Sequence, residues 1–190
     1  MKRRNFLKTA IAAVPAVLIE PGLAQSFAPA SQTSSTPVGQ AAQVVPAGKD
    51  RFEEIHPRGF SLIQFKVCTQ ETGGRMFVLE HSNLVPGGPP LHLHHEQEEW
   101  FYVMGGDVLF QIGEKRMQLK VGDSVLAPRE VPHTFTAVGT KPAKLLIAFS
   151  PAGRMEQFFR DATKPDAPPQ DAAFYSKYGM KVVGPQLKAS

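Results

Sequence analysis

The residues best suited to chemistry crowd into one short run, His92-Leu93-His94-His95-Glu96-Gln97-Glu98-Glu99, and a further histidine, His133, follows 41 positions after His92. On a β-strand, residues two apart share a face, so His92 and His94 can turn both imidazoles into one cavity. After a short turn, Glu99 can open the next strand and carry a carboxylate to the same point. His133 can add a third imidazole from a strand across the fold. Imidazole nitrogens and carboxylate oxygens gathered in this way suit a divalent transition ion. His95, adjacent to His94, points to the opposite strand face.

Strands must position these groups, and the sequence beyond residue 50 supplies them. Apolar and polar residues alternate over Ser61–Val67, and short β-rich runs cover Arg75–His81, Trp100–Met104, Val108–Ile112, Met117–Leu119, Ser124–Ala127, Thr134–Val138 and Leu145–Phe149. Turn signals such as Gly73-Gly74, Gly87-Gly88-Pro89-Pro90, Gly105-Gly106-Asp107, Gly122-Asp123 and Gly139-Thr140 separate them. This spacing predicts an all-β antiparallel sandwich or barrel, with Phe65, Phe77, Phe101, Phe110 and Phe135 as its core. After Ser150 the period changes. Ser150-Pro151 offers a cap and a first helical position, with Met155, Phe158 and Phe159 on one face. Phe174, Tyr175 and Tyr178 suggest a second short helix ending at Gly179. Both helices are expected to pack on the outside of the barrel or at a subunit contact, in a structural role. His56, before Pro57, reads as surface loop, Cys68 as a half-exposed thiol, and Glu96-Gln97-Glu98 as a solvated turn; His81 reads as a structural histidine, with its parity with Phe77 and Leu79 leaving open a place facing the cavity.

The two segments rich in histidine resemble the motifs of the cupin superfamily. The first shows glycine, a spacer, His-x-His, glutamate, six residues and glycine. The resemblance gives ligand roles to His92, His94 and Glu99, with Gly106 as the closing glycine; Glu98 competes, but only Glu99 stands at the motif's distance from Gly106. The second motif matches through Gly122, Pro128 and His133, and departs at Glu130, where glycine is usual, and at Ala137, where asparagine often stands. The implied fold is a double-stranded β-helix, a jelly-roll barrel, with short C-terminal helices. Ser150–Phe159 and Tyr178–Pro185 resemble the tails of small single-domain cupins of the quercetin-dioxygenase-like type. The implied metal ligands are His92, His94, Glu99 and His133. Three neutral imidazoles and one carboxylate suit one divalent transition metal, Mn, Fe, Ni, Co, Cu or Zn, and match Ca or Mg poorly. Glu99 is also the expected catalytic residue, able to take a proton if its carboxylate leaves the metal.

Composition narrows the alternatives. Residues 1–30 hold Lys2, Arg3, Arg4 and Lys8 against Glu20, and without them the +4 charge falls to 17 basic and 16 acidic residues. The body is therefore close to neutral and carries no basic stripe for nucleic acid. One cysteine excludes an internal disulfide and any Cys-based zinc or iron–sulfur site. Arg3-Arg4-Asn5-Phe6-Leu7-Lys8, followed by the apolar run Thr9–Ile19, has the form of a twin-arginine export signal, too short to span a bilayer, with cleavage after Ala24 or Ala30. The expected organisation is a signal peptide over 1–30, a flexible linker over 31–49, a cupin barrel over 50–150 and a helical tail over 151–190. These readings predict a periplasmic metal-dependent enzyme acting on a small molecule, most like the dioxygenases that cleave flavonols or diketones. A non-redox isomerase, epimerase or decarboxylase is the alternative, and a non-catalytic binding module a third. No stable membrane insertion is expected after cleavage, and the resemblance implies a homodimer.

Overall fold

A computed structural model describes residues 42–188. The export signal expected over 1–30 lies outside these residues, as does most of the expected linker. The strands are β1 (His56–Arg58), β2 (Ser61–Val67), β3 (Phe77–Leu84), β4 (Pro90–His94), β5 (Glu98–Gly105), β6 (Asp107–Ile112), β7 (Lys115–Leu119), β8 (Ser124–Ala127), β9 (His133–Val138), β10 (Ala143–Ser150) and β11 (Met180–Gln186). Two helices, α1 (Met155–Ala162) and α2 (Ala172–Ser176), lie between β10 and β11. One sheet has the order β1-β2-β3-β10-β5-β8 and the other β11-β4-β9-β6-β7, and the strand pairs within both are antiparallel. From β3 to β10 the chain passes repeatedly from one sheet to the other. The result is the all-β jelly roll that the sequence predicts.

Period-two patterning decides which side chains enter the core. In β5, Glu99, Phe101 and Val103 are buried between less buried neighbours, and in β10 Ala143, Leu145, Ile147 and Phe149 alternate in the same way. Each fully buried Phe, Leu or Ile contributes about 1.5–3 kcal/mol, so a one-residue slip of either strand would expose its whole inner face. Gly106 follows β5 at φ +65°, and a Cβ there would sit 2.8 Å from the Cα of Ala143. Only glycine fits that close approach.

The tail departs from the sequence reading at three places. Ser150 does not cap a helix; it is the last residue of β10, in register with Glu98, and α1 begins only at Met155. The ladder already uses the Ser150 backbone, so the strand prevails over the cap. Residues 151–190 are also not wholly helical, because Met180–Gln186 forms β11 and pairs with β4, setting Met180 opposite His94 and Val182 opposite His92. That pairing covers an edge which β4 would otherwise leave open. Third, the helices do not merely pack outside the barrel: both reach the cavity described below.

Two single residues also differ. His56 is no surface loop; it lies buried on β1 with its ring stacked 4.7 Å from that of Phe65. Cys68 is buried rather than half-exposed. The β2–β3 register shifts between Phe65 and Val67, so the parity carried forward from Gln64 and Lys66 no longer applies at position 68.

Candidate metal centre

Two adjacent strands of one sheet and one strand of the other meet at a single point. β4 supplies His92 and His94, β9 supplies His133 directly opposite His92, and β5 brings Glu99 from the facing sheet. One donor atom from each of the four lies within 4.8 Å of all the others, and none of the four is more than 5% exposed. Nδ1 of His92 is 2.9 Å from the carbonyl of Pro90, and Nδ1 of His133 is 3.0 Å from that of Val131. A carbonyl only accepts, so each Nδ1 carries the ring proton of the neutral imidazole, and each Nε2 turns a lone pair inward. Nε2 of His133 and of His94 approach the same Glu99 oxygen, Oε2, at 2.8 and 3.0 Å. A neutral His133 would set its Nε2 lone pair against the carboxylate at that distance, whereas His94, whose Nδ1 has no partner, can donate from Nε2. A divalent cation in their midst, or protons shared with the carboxylate, removes the conflict. The donor set therefore fits a metal ion.

The electrostatics point the same way. Burial pushes the Glu99 carboxyl upward, but its contacts with His133 and His94 outweigh burial and hold it well below the usual carboxylate range. Burial, followed by the neighbouring His133 and His94, keeps His92 well below the usual imidazole range. The site thus presents an ionised carboxylate and at least one neutral ring, the states in which both bind metal.

The cavity above the cluster is walled largely by Phe60, Phe135, Phe149, Phe158, Phe159 and Met155, with Arg58, His81 and Tyr175 set among them. The space inside is about 20 Å³, room for an ion or a single water. Of the phenylalanines named from sequence, Phe135 lines this cavity, while Phe65, Phe77, Phe101 and Phe110 are core. Sequence reading missed Arg58 on β1, Tyr175 on α2 and the α1 residues in the wall; no local motif marks them. His81, read as structural, also faces the cavity, with its Nδ1 2.8 Å from Ser61 Oγ. Burial, and after it the charge of Arg58, lowers it from the usual 6.5 to about 3, so it is a neutral ring at physiological pH.

The remaining candidates stand apart. Glu98 points the other way, its carboxylate gripped by Arg129 Nε and Nη2 at 2.6 and 2.8 Å. His95 is half-exposed and pairs with Glu130 at 2.8 Å. Glu96 is exposed.

A family model described as the cupin domain matches residues 81–149, a stretch that contains all four clustered side chains. The chain carries a cupin domain. An uncharacterised protein of Methanocaldococcus jannaschii is 31% identical over 70 residues, 36% of this chain, and the matched stretch spans little more than half of that relative, 56%. Among solved structures, KdgF from a Halomonas species aligns with 17% identity and a TM-score of 0.46, covering 52% of this chain and 86% of its own. An RmlC-like cupin from Shewanella frigidimarina gives 21% identity and the same TM-score, covering 52% and 84%. The cupin match ends at Phe149. The α1 and α2 residues in the cavity wall thus lie beyond it.

Proposed function

We propose that this cupin is a periplasmic, metal-dependent oxidoreductase of dioxygenase-like type acting on a small oxygenated organic substrate. The observation that carries the reading is the convergence of His92, His94, Glu99 and His133 on one buried point beneath an apolar cavity. A divalent Mn, Fe, Ni, Co, Cu or Zn ion bound there would supply a Lewis acid for an oxygen atom of the substrate. The chain's own contributions follow from their positions. The carbonyls of Pro90 and Val131 fix the ring orientations of His92 and His133. The phenylalanine wall excludes water, which strengthens every charge interaction inside. Glu99 can take up a proton only once its carboxylate leaves the metal and the His94 and His133 rings, and His81, kept neutral by burial, faces the same cavity. The paired arginines Arg3 and Arg4 support export in the folded state, which allows a metal to be loaded before transport. Homodimer formation, a small-molecule partner, and the absence of nucleic-acid or membrane partners belong to the same proposal.

The test is to purify the full chain from its native compartment, identify the bound metal, and follow oxygen uptake with flavonol and diketone substrates. Near-stoichiometric redox-active metal with oxygen consumption is expected. Equal turnover without oxygen would overturn the oxidoreductase assignment. Replacing Arg3-Arg4 by two lysines should leave the protein in the cytoplasm; unchanged export would remove the periplasmic location. A second reading, non-redox turnover by an isomerase, epimerase or decarboxylase, is favoured by one observation, the buried cation Arg58 in the same cavity. Zinc as the native metal would support it.

A further inference from the structure

Arg58 is 6% exposed, yet its Nε and Nη1 have no hydrogen-bond partner. Its one side-chain bond runs from Nη2 to Tyr175 Oη at 3.2 Å. The guanidinium carbon lies 4.8 Å from the ring centre of Phe158, 5.1 Å from Phe159 and 5.9 Å from Phe60. Aromatic faces steady the cation there but offer its N–H groups nothing to donate to. A buried guanidinium is ordinarily paired, because orphaned donors on a charged group are costly. Glu99 is the one carboxylate in the cavity wall, and its Oε2 is already shared by His94 and His133.

We infer that the space beside the metal centre is built for a small carboxylic acid, whose carboxylate is received by Arg58 with Tyr175 alongside. The charges require an anion of this kind. Three neutral imidazoles, one carboxylate and a divalent ion leave a net charge of about +1 in the cluster, and Arg58 raises the cavity to about +2. A bound carboxylate offsets that charge and meets the free N–H groups of the guanidinium in charge-assisted bonds. The Tyr175 oxygen accepts from Arg58 and retains its own proton, so the phenol can donate to the same anion. The planar guanidinium matches a carboxylate, and the wall holds no lysine or second arginine to help neutralise a phosphate dianion. The small space favours a short acid and demands outward movement of the α1 and α2 side chains to admit it. This assignment rests on the metal-centre reading for the charge balance and for what happens at the reacting end of the substrate; the unpartnered N–H groups of Arg58 stand apart from it.

The test titrates the full chain, with and without Mn(II), using formate, acetate and pyruvate as probes against formamide, acetamide and pyruvamide, by calorimetry and thermal shift. Wild type should favour each acid over its amide by about 10- to 100-fold. Arg58→Met should abolish that preference while Mn(II) stoichiometry stays at wild-type level, and Arg58→Lys should retain part of it. Equal binding of acids and amides by wild type, or an undiminished preference in Arg58→Met, would overturn the assignment. Tighter binding of inorganic phosphate than of acetate would overturn it as well. If Arg58→Met does not fold, the wild-type acid-to-amide ratio and Arg58→Lys decide the matter. A chain that takes up no Mn(II) but still prefers acids through Arg58 would sink the metal reading and leave this one standing. Mn(II) uptake with no acid preference would do the reverse.

Discussion

His81, Arg58 and Tyr175 are the titratable cavity residues that ion ligation does not use, and the first two each store a cost that folding must bear. For His81 the sign follows from its folded value of about 3 against the usual 6.5. Between those limits the unfolded chain binds a proton that the folded chain excludes, so stability falls as pH drops from about 6.5 toward 3. The slope from this one group is at most about 1.4 kcal/mol per pH unit. His81→Gln should therefore show a flatter loss of stability in urea unfolding between pH 6 and 4, whereas parallel curves for variant and wild type would disprove this origin. Glu130 is a different kind of cost. It holds φ +62°, a left-handed conformation at the position where the cupin motif usually has glycine, and its carboxylate meets exposed His95. The left-handed penalty of about 1 kcal/mol is partly offset in a Glu130→Gly variant by the greater freedom of its unfolded chain. Its melting temperature should match wild type or exceed it slightly, while Glu130→Val should lose about 1–2 kcal/mol. A marked drop for the glycine variant would show that the His95 pair matters more than the backbone. Strand parity alone separates Glu98 from Glu99: Phe101 and Val103 point inward on β5, so Glu99 does too.

Among the elements, strands with clear alternation or a short apolar run between turn signals were legible, as β2 and β8 show by matching their expected bounds residue for residue. β1 and β11 were not. β1 is three residues long around Pro57, and β11 carries Gly184-Pro185, which reads as a breaker. Both lie at sheet edges, where an absent N–H or side chain costs no ladder on the open side. The α2 helix is too short to be stable alone; its start is held by Asp171, whose carboxylate accepts from the Phe174 N–H at 2.9 Å. Asp171→Ala should cost about 1 kcal/mol and lower the melting temperature by about 2–4 °C. Amide exchange should quicken over Ala172–Ser176, because Tyr175 and its contacts with Arg58 and His92 hang on that turn. Unchanged exchange there would mean that packing of Phe174 and Tyr175, not the cap, holds the helix.

For the molecule as a whole, metal and fold should be linked. A ligand that binds only the folded chain adds about 2.7 kcal/mol at a hundred times its Kd. Mn(II) or Zn(II) should accordingly raise the melting temperature, a chelator should reverse the gain, and His92→Ala or His133→Ala should remove it. A melting temperature indifferent to metal, in a chain shown to bind it, would separate the site from the fold. The sequence by itself determined the all-β antiparallel class, because period-two alternation is written along neighbouring residues, and its resemblance to the cupin motifs implied the jelly roll and the grouping of His92, His94, Glu99 and His133. Only the tertiary structure decided that Arg58 and Tyr175, 117 positions apart, face the same cavity, and that the tail closes over it. Contacts at such separations depend on where sheets and helices dock, and no local pattern encodes that.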